Sequence, residues 1–100
     1  MEKFEIEGSC YKVFNTQVGN LPLIIVRAKN GYIACNYIDK NTADKLGDVA
    51  AFVPGVKNMN DFLRAKIRDV TSWAEESYGI REGMSVKKAL ELMDKPPEKK

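Results

Sequence analysis

The side chains able to do chemistry in this chain concentrate between positions 35 and 58. Cys35 falls on a predicted strand, and Tyr37, Asp48, Gly55, Lys57 and Asn58 follow it across a short helix, a second strand and a glycine-lysine turn. A thiol beside an ammonium group or a helix N-terminus ionises more readily, so Cys35 with Lys57 could serve as a nucleophile or redox sensor, with Tyr37 or Asp48 handling protons. The competing reading packs Cys35 in a sheet core, and residue statistics favour it, since free cysteine is among the most buried residue types.

Gly55-Val56-Lys57-Asn58 precedes a helix whose first amides lack intrahelical partners, and a small anion, phosphate or carboxylate, is the ligand such a turn would take. The plainer alternative is a turn capped by Asn58 or Asn60, with Lys57 solvated. It is not a P-loop, because the Gly-x-x-x-x-Gly-Lys-Ser/Thr spacing is missing. Asp39, Asp44 and Asp48 could offer oxygens to a divalent cation, but their spacing fits no calcium loop and helix capping accounts for them. We therefore expect no metal site and no organic cofactor. The chain has no histidine, which removes Ser-His and Cys-His activation, histidine-ligated zinc and the side chain that ordinarily titrates near neutrality.

These residues need a scaffold, and composition bounds it. One hundred residues, 44% hydrophobic and 30% charged, suit one soluble domain, read here as residues 1–94 with a frayed tail at 95–100. A formal charge of +2 is too balanced for the field that marks most nucleic-acid binders. No run approaches the roughly 18 apolar residues of a membrane span, and the start lacks the apolar core of a signal peptide, so a cytoplasmic protein without membrane partners is expected. Two cysteines are too few for a disulfide framework.

Phe4 to Glu7 and Tyr11 to Phe14 alternate like strands, and Leu23 to Val26 reads as a strand covered on both faces. Asn30-Gly31 predicts a tight type I′ turn into a strand over Tyr32 to Ile38. Asp39 or Asn41 can cap a short helix ending before Gly47, and Val49 to Val53 is a second interior strand. Leu63, Ile67, Val70 and Ala74 recur at helical spacing, predicting one long helix from Asn58 or Asn60 to Tyr78, widened by Phe62, Trp73 and Tyr78. Gly79-Ile80 suits a Schellman stop, and Ser85 caps a last helix. The sum is an α+β fold: a mixed sheet of about five strands packed with two C-terminal helices.

The order of the hairpin, Tyr32-Ile33-Ala34-Cys35-Asn36-Tyr37, then Ala43-Asp44-Lys45-Leu46-Gly47-Asp48-Val49-Ala50-Ala51, Val53-x-Gly55-Val56-Lys57 and Gly79-Ile80-x-x-Gly83-Met84 resembles the DUF1805 family, the YunC-like proteins, over residues 2–93. Cys35, Tyr37, Asp48, Gly55 and Lys57 match its pattern, and Asn36 stands where the family carries glycine. The resemblance implies a small α+β domain that forms a homotetramer through its N-terminal strands, with no established activity.

The N-terminal strands, within residues 1–22, hold more apolar surface than an edge hairpin can bury, which marks Phe4, Ile6, Tyr11, Val13 and Phe14 as a subunit interface. The sequence thus supports a homo-oligomeric assembly or ligand-binding module, or alternatively a small cysteine-dependent enzyme or redox-sensitive protein built on Cys35 and Lys57.

Overall fold

Apolar residues spaced for strands dominate the first third of the chain, and they form a meander. A computed structural model describes residues 2–6, 9–35 and 38–95, with side chains from Tyr11 onward. The first strands are β1 (Glu2–Ile6), β2 (Ser9–Gln17), β3 (Pro22–Arg27) and β4 (Tyr32–Cys35). Helix α1 (Lys40–Lys45) then carries the chain across to β5 (Ala50–Val53). Next come α2 (Met59–Arg64), the two-residue β6 (Asp69–Val70), α3 (Ser72–Tyr78) and α4 (Val86–Met93). The sheet order is β1-β2-β3-β4-β5-β6. Neighbours are antiparallel except β4 and β5, which the α1 crossover makes parallel. The α+β class and mixed sheet are as expected, with β6 as a short added edge.

Cross-strand register assigns the faces. Val13, Val26, Ile33 and Ala51 lie in one row, all buried. This face carries the main core, closed by Phe62 of α2, Ala74 and Tyr78 of α3, and Val86, Ala89, Leu90 and Met93 of α4. On the opposite face Ala34, Ala50 and Phe52 pack under Ala43 of α1. Helix α1 is short, so it shields only the β4–β5 half of that face.

Asp39 caps α1. Its carboxylate accepts the Thr42 hydroxyl at 2.7 Å and the Asn41 and Thr42 amides, and these bonds, the hydroxyl first, hold its pKa below the usual value. Helix α3 ends at Gly79 (φ +70), where the Ile80 amide reaches the Ala74 carbonyl and the Ile80 side chain is fully buried, as a Schellman stop requires.

Three local expectations fail for tertiary reasons. The predicted long helix is broken into α2, an extended segment and α3. Residues 65–70 instead serve as a strap between β5 and the 81–85 turn: Arg68 N–H donates to Phe52 O at 2.7 Å, Ile67 N–H to Met84 O at 2.8 Å, and Gly83 N–H to Ile67 O at 2.7 Å. Those bonds give the strap backbone partners outside the helix that the spacing predicts. Trp73, expected on the buried face, is 54% exposed because α3 begins only at Ser72. The Asn30-Gly31 turn is also not type I′, since Gly31 lacks a positive φ. The chain turns over Ala28–Gly31, and Asn30 N–H donates to Met93 O at 3.0 Å. Gly31 is required for closeness instead: a Cβ there would sit 2.5 Å from the Val49 carbonyl oxygen.

Candidate functional site

The parallel pair β4–β5 sets the geometry, because its two ends carry different groups. At the C-terminal end Cys35 is in register with Val53. Cys35 is 1% exposed, packed in the main core, with its thiol hydrogen directed at the Pro22 carbonyl 3.7 Å away. Alternation along β4 turns Cys35 and Ile33 to the helix-covered face, so the thiol occupies the packed position rather than an open site. Lys57 and Gly55 are exposed on the loop beyond β5. Gly55 lies against Leu21, where a Cβ would meet its Cδ1 at 2.7 Å. Asn58 caps the six-residue α2 by accepting the Asp61 amide at 2.9 Å, which spends the donor that an anion would need. Tyr37 lies outside the described residues.

Asp48 stands at the other end of β5, which separates it from Gly55 by about 20 Å of extended chain. Asp48 therefore does not converge with Gly55, Lys57 and Asn58, which share the loop beyond β5. The three aspartates do not either: Asp39 caps α1, Asp44 accepts the Ser72 amide at 3.0 Å and hydroxyl at 3.1 Å, and no group of three possible ligands could hold a metal ion among the described residues.

What surrounds Asp48 is a cleft of about 370 Å³ beside the β3–β4 turn, lined by Arg27, Lys29, Asn30, Gly31, Tyr32, Asp48 and Val49. Arg27 and Tyr32 are cross-strand partners, and Tyr32 is in register with Ala50. The Tyr32 hydroxyl donates to Asp48 Oδ2 at 2.8 Å, and its pKa is pushed up to about 12, by burial first and then by the Asp48 carboxylate. Asp48 is fixed by its backbone: its carbonyl accepts the Thr71 hydroxyl at 2.7 Å and its amide donates to Ala43 O at 3.0 Å. Sequence reasoning found Asp48 but missed Arg27 and Tyr32. The signal was the hairpin itself, which brings Arg27 beside Tyr32.

The interface residues divide by face. Tyr11 and Val13 are each 4% exposed, contrary to expectation, because their face of β2 is covered within the protomer, where Tyr11 donates to Asp94 Oδ2 at 2.8 Å. Phe14, one residue on, takes the other face and is 39% exposed. Its row runs Phe14, Ile25, Ala34, Phe52 across four strands. The last two are buried under α1, Ile25 is half-buried, and Phe14 stands beyond the helix. Of Phe4 and Ile6 only the backbone is described, pairing with Tyr11 and Ser9 on the edge strand β1, while their side chains lie outside the description. No helix among the described residues is long and apolar enough to cross a membrane.

Among curated proteins nothing matches this chain. Among solved structures, a protein of unknown function from Thermoplasma acidophilum, TA1206, is similar: it is 33% identical, with a TM-score of 0.84, and the match covers 92% of this chain and 89% of that one. The family model described as a domain of unknown function matches residues 34–93, the stretch from β4 through α4, and the chain belongs to that family, DUF1805.

Proposed function

We propose that the protein is a homo-oligomeric assembly module in which copies meet through the uncovered half of the sheet. The supporting observation is the row from Phe14 to Phe52, apolar along its whole length but covered by α1 over only half of it. Completing that cover with a second copy removes the exposed ring and the half-buried Ile25 from water. A second surface is available at β1, which among the described residues pairs only with β2. Two copies of β1 set antiparallel about Phe4 bring Lys3 of one into register with Glu5 of the other, an opposite-charge cross-strand pair. Two separate isologous surfaces are what a tetramer of dihedral symmetry needs. A cytoplasmic setting, where thiols stay reduced, suits the free Cys35.

Light scattering on the purified full chain at micromolar concentration tests this reading. A mass four times that of the 11.3 kDa chain supports it, and Lys3→Glu, which sets like charges at that register, should reduce the tetramer to dimers. A monomer in the wild type overturns the proposal.

A further inference from the structure

The cleft beside the β3–β4 turn presents charges of both signs without joining them. Arg27 and Asp48 line the same cavity, yet neither is ion-paired to the other, and the Arg27 guanidinium has no hydrogen-bond or ion-pair partner among the side chains described, those from Tyr11 onward. Asp48 uses Oδ2 to accept the Tyr32 hydroxyl, which leaves Oδ1 with no bond among the described residues. Tyr32 lies between the two charges, since it neighbours Arg27 across the strands and touches Asp48 through its hydroxyl. Its half-buried side chain lines the cleft together with both.

An isolated anion would find Arg27 and Lys29 attractive but the Asp48 carboxylate repulsive, and an isolated cation meets the reverse. A molecule carrying both charges a few bonds apart satisfies both ends together. Bidentate guanidinium to carboxylate contact is the strongest such pairing. The volume of about 370 Å³ falls at the small end of the range typical of small-ligand sites. Both charged groups also come from well-held backbone. Arg27 ends a strand paired on both sides, and Asp48 is anchored through its amide and carbonyl to Ala43 and Thr71. Gly31, where a side chain would strike Val49, lets the turn that lines the cleft lie close against the β5 entry.

We propose that this cleft binds the α-amino carboxylate group of a free amino acid, its carboxylate on Arg27 and its ammonium on Asp48 Oδ1. Recognition is of the groups common to all amino acids, so a single simple probe suffices. Titration of the uniformly labelled full chain with L-alanine, followed by amide NMR, should give saturable shifts at Gly31, Tyr32, Asp48 and Val49. Acetate and methylammonium, each carrying half of the recognised pair, should bind at least about tenfold more weakly. Arg27→Gln and Asp48→Asn should each weaken L-alanine by about tenfold or more, and Asp48→Asn retains an oxygen acceptor for Tyr32, so its fold is preserved. Absence of saturable shifts with L-alanine overturns the proposal. Acetate binding as tightly as L-alanine overturns it as well, because the site would then be a simple cationic patch.

Discussion

Replacing Phe14 by lysine tests the assembly where its driving force is concentrated. Phe14 is 39% exposed, which for a phenylalanine is about 80 Å² of largely apolar surface. Removing that surface from water is worth about 2 kcal/mol at 25 cal/mol per Å². An isologous contact uses the residue twice, so its loss weakens a dimer by about 4 kcal/mol, or about a thousandfold in Kd. The lysine stem can lie over Ile25 much as the ring does, which limits the harm to the protomer, while its ammonium joins Lys12 on the same face and repels the facing copy. Sedimentation velocity over a concentration series reads the change, with far-UV circular dichroism confirming the fold. A Kd shifted by less than about tenfold, in a variant that remains folded, would show that the bare half of the sheet is not where copies meet.

Three further expectations follow from the geometry. Thr71 is fully buried, and its hydroxyl donates to Asp48 O and accepts the Ala50 and Ala74 amides, so Thr71→Val should cost about 2–4 kcal/mol in urea denaturation through stranded polar groups and a lost helix cap; a loss below about 1 kcal/mol would contradict that role. The pKa of Tyr32 is raised to about 12, so folding favours its protonated form, and that stabilisation is whole below the unfolded tyrosine value of about 10 and lost as pH climbs through 12. The stability of the wild type should therefore fall more steeply than that of Tyr32→Phe over that window, and parallel urea midpoints would count against the burial of the hydroxyl and its Asp48 contact. Cys35, at 1% exposed, should resist a thiol reagent in the native protein and react in urea; peptide mapping separates it from Cys10, and equal native and denatured rates would mean that the thiol is open.

Much of the fold was legible because its signals are local. Asp39 before α1, Gly79-Ile80 after α3 and Ser85 before α4 act through hydrogen bonds within one helical turn, and all three fall where the sequence places them. Alternation along β4 likewise assigned Ile33 and Cys35 to one face and Tyr32 and Ala34 to the other. The break between α2 and α3 was not legible: residues 65–70 contain no proline or glycine, and their apolar spacing fits a helix. Pairing with β5 decides it, through Ala51 with Val70 and Phe52 with Asp69, partners far apart in the chain. Thr71, a β-branched capping residue inside the supposed helix, was the one local hint.

The candidate site divides the same way. Residue type alone singled out Cys35, Lys57 and Asp48. Whether a thiol is open or packed, and which charges share a cleft, depends on which strands lie side by side. The parallel placement of β4 against β5 buries Cys35 at one end and gathers Arg27, Tyr32 and Asp48 at the other. The sequence by itself determined the strands, caps and apolar rows, because these are set by neighbours a few residues apart. Only the tertiary structure decided that α1 covers half of one sheet face, leaving Phe14 beyond it, since a six-residue helix spans about 9 Å and six strands span far more.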